Sequence, residues 1–133
     1  MHRPFPAVLT LALIGALFAA GCSGGSPEDR LRSPEVIAQG RDLFTANCTE
    51  CHGNRGDGQG PRAAVLVTPP TDFTDPVWRS GAQPKAVFAA IRLGVNGTAM
   101  PAWPAFTEKE TWDLAAYVLS LAKDGDRAAG GGR

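Results

Sequence analysis

Cys48, Cys51 and His52 stand within one short run, Cys48-Thr49-Glu50-Cys51-His52, and nowhere else does the chain gather reactive side chains so tightly. Thiols three positions apart on a helical turn share a face, so both can bond to one flat partner while the next residue aims an imidazole at its centre. This is the spacing at which haem is attached, each thiol adding to a vinyl group of the porphyrin and the histidine binding the iron. Two other chemistries use the same residue types. Zinc would need four ligands, and only the remote Cys22 could join these three unless carboxylates step in. A redox disulfide would need the strands and helices of a thioredoxin-like domain, and no strand pattern competes anywhere. One covalent haem c, with its iron, is the expectation.

Haem iron has two axial positions. Besides His52 the only histidine is His2, near the amino terminus, and besides Met1 the only methionine is Met100. A lone methionine is more often core filler than ligand, but with a haem placed, Met100 becomes the candidate opposite His52. It lies in Gly94-Val95-Asn96-Gly97-Thr98-Ala99-Met100-Pro101, where Pro101 restrains Met100 to extended backbone and Gly97 is expected to allow a tight approach. A thioether opposite an imidazole favours ferrous iron relative to two imidazoles and so raises the potential. With both positions filled no site is open for substrate, which argues for electron transfer and against oxygenase or peroxidase chemistry. Trp78, Arg79, Arg92 and Trp103 could each bring a donor to the haem propionates, although surface arginine and core tryptophan are the commoner fates.

These side chains need helices to hold them. Ser33 as N-cap, Pro34 at the first position and Glu35 just after it open a helix over 34–47, with Val36, Ile37, Gly40, Leu43 and Phe44 at helical spacing. Gly40 inside it costs roughly 1 kcal/mol against Ala, tolerable where another helix crosses closely and otherwise a surface kink. Residues 53–83 are rich in Gly and Pro and read as an irregular stretch that wraps something large. A short helix over 84–93 begins at Pro84 and stops at Gly94. Thr107 and Glu110 form a capping box for the last helix, where Leu114, Tyr117, Val118 and Leu121 share a face.

The ends read differently. Arg3 and the 14-residue apolar run at 7–20 have the layout of a secretory signal over residues 1–21, too short for a membrane span of roughly 20 residues. The run ends Leu17-Phe18-Ala19-Ala20-Gly21-Cys22, which resembles the lipobox of bacterial lipoproteins, although Ala19 stands where Leu is commonest. That resemblance implies lipidation of Cys22, which would explain an odd third cysteine and give a membrane-anchored protein in the bacterial periplasm. Ordinary cleavage near Ala20 would leave it soluble there. Residues 22–33 then form a polar tether, 34–123 the folded domain, and 124–133 a Gly-rich frayed tail.

At 133 residues, one small core is expected, and small domains commonly recruit a cofactor to complete it. The 13 basic and 13 acidic residues balance and are scattered, which disfavours nucleic-acid binding.

Together, Gly40-Arg41-Asp42-Leu43-Phe44, the Cys48–His52 run with Gly53, Gly58-Gln59-Gly60-Pro61, Thr98-Ala99-Met100-Pro101 and Trp112-Asp113-Leu114-Ala115-Ala116-Tyr117-Val118 resemble a class I monohaem cytochrome c. The resemblance covers residues 34–123 and implies an all-α fold of three to four helices wrapped around one covalent haem. It also implies that the first and last helices cross at Gly40 and Phe44 against Leu114 and Tyr117. By the same resemblance, the Pro61 carbonyl accepts a hydrogen bond from the His52 ring and fixes its tautomer. The function to expect is single-electron shuttling between a redox protein donor and acceptor outside the cytoplasm, without enzymatic activity. Two alternatives stay open: a haem subunit dedicated to one dehydrogenase or reductase, and a small-ligand-binding haem protein in which Met100 is labile.

Overall fold

Proline opens four of the helices, because its missing N–H is one that a first turn leaves unpaired and its φ already suits a helix. The computed structural model describes residues 27–130 in backbone and 29–121 in side chain. Within that span the helices are α1 (Pro27–Arg30), α2 (Pro34–Asn47), α3 (Thr49–His52), α4 (Pro76–Gly81), α5 (Pro84–Leu93) and α6 (Glu108–Gly130), with one 3-10 turn at Ala63–Val65. Among the described residues all regular structure is helical. Cys22 and the expected signal peptide lie outside the described residues.

The bounds of α2 and α5 coincide with those read from the sequence. Three features differ. Within the expected tether, Pro27–Arg30 forms a single helical turn. Within the irregular stretch, α4 forms because Asp75 Oδ1 accepts the Val77 N–H at 2.8 Å, an N-cap immediately before Pro76. And α6 continues to Gly130, past the expected start of the tail at 124, since extending a helix already nucleated needs no new nucleus. Ser33 has the extended backbone of an N-cap, but its hydroxyl donates to the Glu35 carboxylate rather than capping the helix.

The core lies where α6 meets α2 and α5. Phe44, Leu114, Ala115, Tyr117, Val118, Leu121 and Ile91 are buried there, with Phe44 and Tyr117 ring centroids 5.2 Å apart in an edge-on pair. Burying a side chain such as Phe44 or Leu114 contributes roughly 1.5–3 kcal/mol. Gly40 sets the spacing. A Cβ there would overlap the Asp113 carbonyl oxygen and lie 2.6 Å from its carbon and 2.9 Å from Tyr117 Cβ, so α2 and α6 touch backbone to backbone at this point. Beside the crossing, Lys109 Nζ reaches Asp113 Oδ2 at 2.7 Å and Gln39 Oε1 at 2.6 Å, pairing the buried carboxylate and tying α6 to α2.

The capping box forms as read: the Thr107 amide donates to Glu110 Oε2 at 2.8 Å, and the Glu110 amide donates to Thr107 Oγ1 at 3.2 Å. Those Thr107 backbone and hydroxyl bonds hold the Glu110 carboxyl below its ordinary value.

Two outcomes follow from this packing. Gly40→Ala should destabilise the folded protein by about 3 kcal/mol, the upper part of the range for overpacking, read from guanidinium unfolding; an unchanged midpoint would mean the helices do not touch there. For Glu110 the folded-state pKa is depressed, so its contribution is complete above the unfolded value, roughly 4.3, and is lost as pH falls through the folded one. The difference in Tm between wild type and Glu110→Ala should therefore be widest near neutral pH and narrow on acidification to pH 3.

Candidate functional site

Cys48 ends α2 and caps α3, its carbonyl accepting from the Cys51 amide at 3.2 Å and the His52 amide at 2.9 Å. The five residues thus make one helical turn, which Gly53 ends with a φ of 76°. A single turn leaves its last carbonyls without helical partners, and buried ones must find others. The following loop supplies them: Gly53 N–H donates to Thr49 O at 2.9 Å, Gly58 to His52 O at 2.9 Å, Gly60 to Cys51 O at 3.1 Å and Arg62 to Glu50 O at 2.8 Å. Only glycine fits at position 60, since a Cβ would overlap Glu50 O and lie 2.5 Å from Thr49 O. The Gly- and Pro-rich loop is therefore a brace for the cysteine turn.

The His52 ring is held from two sides. It stacks on Phe73 with centroids 4.6 Å apart and planes at 19°, and its Nδ1 lies 3.3 Å from the Thr71 carbonyl. A carbonyl can only accept, so Nδ1 carries the proton and Nε2 keeps its lone pair, the tautomer a metal needs. Burial lowers the pKa of His52, with the Thr71 contact opposing it, and so favours the neutral ring. The carbonyl that meets this ring is that of Thr71 and not, as expected, that of Pro61. Pro61 is exposed, and the amides on either side of it are committed to α3, Gly60 to Cys51 O and Arg62 to Glu50 O. Phe73 is positioned by its own amide, which donates to Gly56 O at 2.8 Å.

Met100 arrives on a loop folded onto itself. Its carbonyl accepts from the Val95 amide at 3.2 Å, and its amide donates to Thr98 Oγ1 at 3.1 Å. Within the loop the close backbone contact is at Gly94, where a Cβ would lie 2.8 Å from Met100 O and from Ala102 N; Gly97 supplies a turn with φ at 76°, and no described protein atom lies within 4 Å of where its Cβ would be.

Cys48, Cys51, His52 and Met100 all line one cavity of about 730 Å³, within the range of roughly 300–1,000 Å³ usual for small-molecule sites. Its walls are largely apolar, with Phe44, Phe73, Trp78, Val87, Ile91 and Trp103 among them. Val77 and Val95 also line it, yet are 78% and 43% exposed, so one rim opens to solvent. Before a haem is attached, burial pushes the Cys48 thiol up to about 11, with Cys51 adding to the shift. Two free thiols, an imidazole in the ligating tautomer, a thioether and apolar walls fit a haem. Thr71 and Phe73 were not legible as site residues, for Thr-Asp-Phe after a proline pair carries no motif.

Comparison with known proteins agrees with this geometry. A profile of the family described as "Cytochrome C oxidase, cbb3-type, subunit III" matches residues 35–118. The FixP subunit of a cbb3-type cytochrome c oxidase from Sinorhizobium medicae is 34% identical over 89 residues, 66% of this chain and 28% of that subunit. The CcoP subunit from Rhodobacter capsulatus is 30% identical over 105 residues, 73% of this chain and 32% of that subunit. Cytochrome c6 from Cyanidioschyzon merolae is 29% identical over 89 residues, 67% of this chain and 78% of that protein. Among solved structures, a chain of a reducing HAO-like protein complex from Kuenenia stuttgartiensis superposes with a TM-score of 0.61 at 32% identity, covering 67% of this chain and 44% of the other. The chain thus spans about a third or less of the oxidase subunits it matches.

If the loop braces the cysteine turn, Gly60→Ala should lower the stability of the holoprotein by about 1–3 kcal/mol and cut the yield of attached haem. Thermal unfolding followed at the haem band checks the first, and haem content per polypeptide the second.

Proposed function

This chain belongs to the c-type cytochrome family of cbb3-type oxidase subunit III, has a class I cytochrome c fold and carries one covalently attached haem c; from that premise we propose that it passes single electrons between redox proteins, with His52 and Met100 as iron ligands. The observation that carries the reading is the convergence of Cys48, Cys51, His52 and Met100 on one apolar cavity with an exposed rim. The haem supplies an iron couple that accepts and releases one electron. The rest is the work of the polypeptide. Cys48 and Cys51 would hold the porphyrin by thioethers, while Thr71 and Phe73 orient the His52 ring and the 94–102 loop brings Met100 to the cavity.

The hydrogen bonds of the 94–102 loop would hold Met100 in place, and with His52 and Met100 both serving as iron ligands no position would be open for substrate. The domain is therefore a carrier and not an enzyme. Electrons enter and leave through the side of the cavity where Val77 and Val95 face solvent, an apolar rim against which a partner's own surface can exclude water.

The proposal extends to place. Residues 1–21 act as a secretory signal, Cys22 is lipidated, and residues 22–33 tether the domain to a membrane facing the bacterial periplasm; without lipidation the protein is soluble there. Among the described residues, no helix is long and apolar enough to cross a membrane. A second reading is favoured by the names of some of the relatives, since FixP and CcoP are subunits of oxidases and the solved structure is part of a complex. On it, the chain is the haem component of one particular dehydrogenase or reductase, which stable co-purification would identify. Intact mass separates the two forms of the amino terminus, since lipidation adds acyl groups to the polypeptide-plus-haem total.

Carbon monoxide tests the axial assignment. Ferrous wild-type protein should not bind it, whereas Met100→Ala should keep its covalent haem, bind carbon monoxide, lose the weak methionine-to-ferric-iron band and show a lower potential. Ready binding by the wild type would favour the small-ligand-binding alternative with labile Met100.

A further inference from the structure

We propose that the Thr98 hydroxyl is the latch that holds Met100 in place for the iron, so that an exposed side chain two residues before the ligand sets how readily that ligand comes off. The proposal rests on the reading of Met100 as an axial ligand and deepens it, by assigning the positioning residue behind it.

The base of the Met100 loop is pinned to α5. The Trp103 amide donates to Ile91 O at 3.1 Å, Arg92 Nη1 donates to the Phe106 carbonyl, and Gly94 packs closely against Met100 O and Ala102 N. The tip has no such support. Residues 95–99 are all exposed, and apart from its chain neighbours no described atom lies within 4 Å of where a Gly97 Cβ would be. A segment that nothing packs against keeps its shape through its own hydrogen bonds, and without them its backbone regains many conformations.

Thr98 supplies those bonds. Its amide donates to Val95 O at 3.1 Å, closing a turn in which Gly97 has a φ of 76°, and its hydroxyl donates to the same carbonyl at 2.8 Å. The hydroxyl also accepts from the Met100 amide at 3.1 Å. One oxygen thus joins the start of the loop to the ligand residue itself, using both its donor and an acceptor lone pair. Met100 O is held by the Val95 amide at 3.2 Å, so both backbone polar groups of Met100 are engaged, and the bond at its amide is the one that a side chain provides. The β-branch of threonine restricts the rotamer in which the two hydroxyl bonds form, and Ala99 between the partners has no polar group to replace them. These bonds favour the loop conformation that brings Met100 to the cavity, so without them conformations with the thioether withdrawn gain population.

The test uses the ferric, haem-loaded protein and imidazole, which competes with Met100 for the iron and abolishes the weak methionine-to-ferric-iron band. Thr98→Val keeps the shape and removes both hydroxyl bonds, and it should bind imidazole about tenfold more tightly than wild type, as the loss of two ordinary hydrogen bonds implies. Thr98→Ser keeps the hydroxyl and should stay within about threefold of wild type. Equal imidazole affinity in wild type and Thr98→Val would overturn the proposal. So would a serine variant that behaves like the valine variant, because the hydroxyl would then not be what holds the loop. Should Thr98→Val load no haem, hydrogen exchange of the Met100 amide in ferrous wild-type protein decides: protection well above that of an unbonded exposed amide supports the latch, and exchange at the unbonded rate overturns it. A wild-type protein that has haem but lacks the methionine band overturns the axial reading and this inference together; with the band present, an unchanged valine variant overturns this inference alone.

Discussion

A helical turn of five residues cannot hold itself. It has too few internal hydrogen bonds to offset the ordering of its backbone, and its carbonyl end is left unpaired. The attachment chemistry nevertheless needs Cys48, Cys51 and His52 to stay on that turn with their side chains fixed. The structure meets the demand from outside, with four backbone amides, those of Gly53, Gly58, Gly60 and Arg62, answering the four carbonyls of Thr49, His52, Cys51 and Glu50. Four glycines at 53, 56, 58 and 60 make this geometry available, three of them with positive φ and the fourth pressed against the turn itself.

The rest of the molecule extends from that brace. The loop that braces the turn also delivers Thr71 and Phe73 to the His52 ring, through the bond between the Phe73 amide and Gly56 O. Phe44, buried at the α2–α6 interface, packs on both Tyr117 and Phe73, so the wall of the cavity and the hydrophobic core are continuous. On the opposite side Gly94 both ends α5 and lets the chain close over Met100, so that one glycine sets the helix boundary and the position of the thioether.

Legibility followed the range of the interactions. Local rules found α2, α5 and the Thr107–Glu110 cap, because proline starts, glycine stops and capping boxes act within a few residues. The cysteine turn was legible for the same reason. The brace was not, since a run of glycines and prolines looks like mere irregularity until the amides are paired across space. The resemblance implies Pro61 and the structure has Thr71, because the partner of an imidazole nineteen positions away is chosen by tertiary packing, which the local sequence does not encode. Gly94 shows the same limit: it is readable as a helix stop, but only the fold reveals its close contact with the Met100 carbonyl. The helix at Pro76–Gly81 had a readable signal in Asp75-Pro76, obscured by the loop-like composition around it.

As proposed, one iron, held by His52 and Met100 in both oxidation states, would carry one electron at a time. Spectroelectrochemical titration of the purified holoprotein tests it most directly. A single reversible one-electron wave, with a low-spin c-type spectrum in both states and identical reductive and oxidative curves, is the predicted result. Hysteresis between the two directions, with a high-spin species appearing in either state, would contradict it, because it would mean that an axial bond breaks in each cycle.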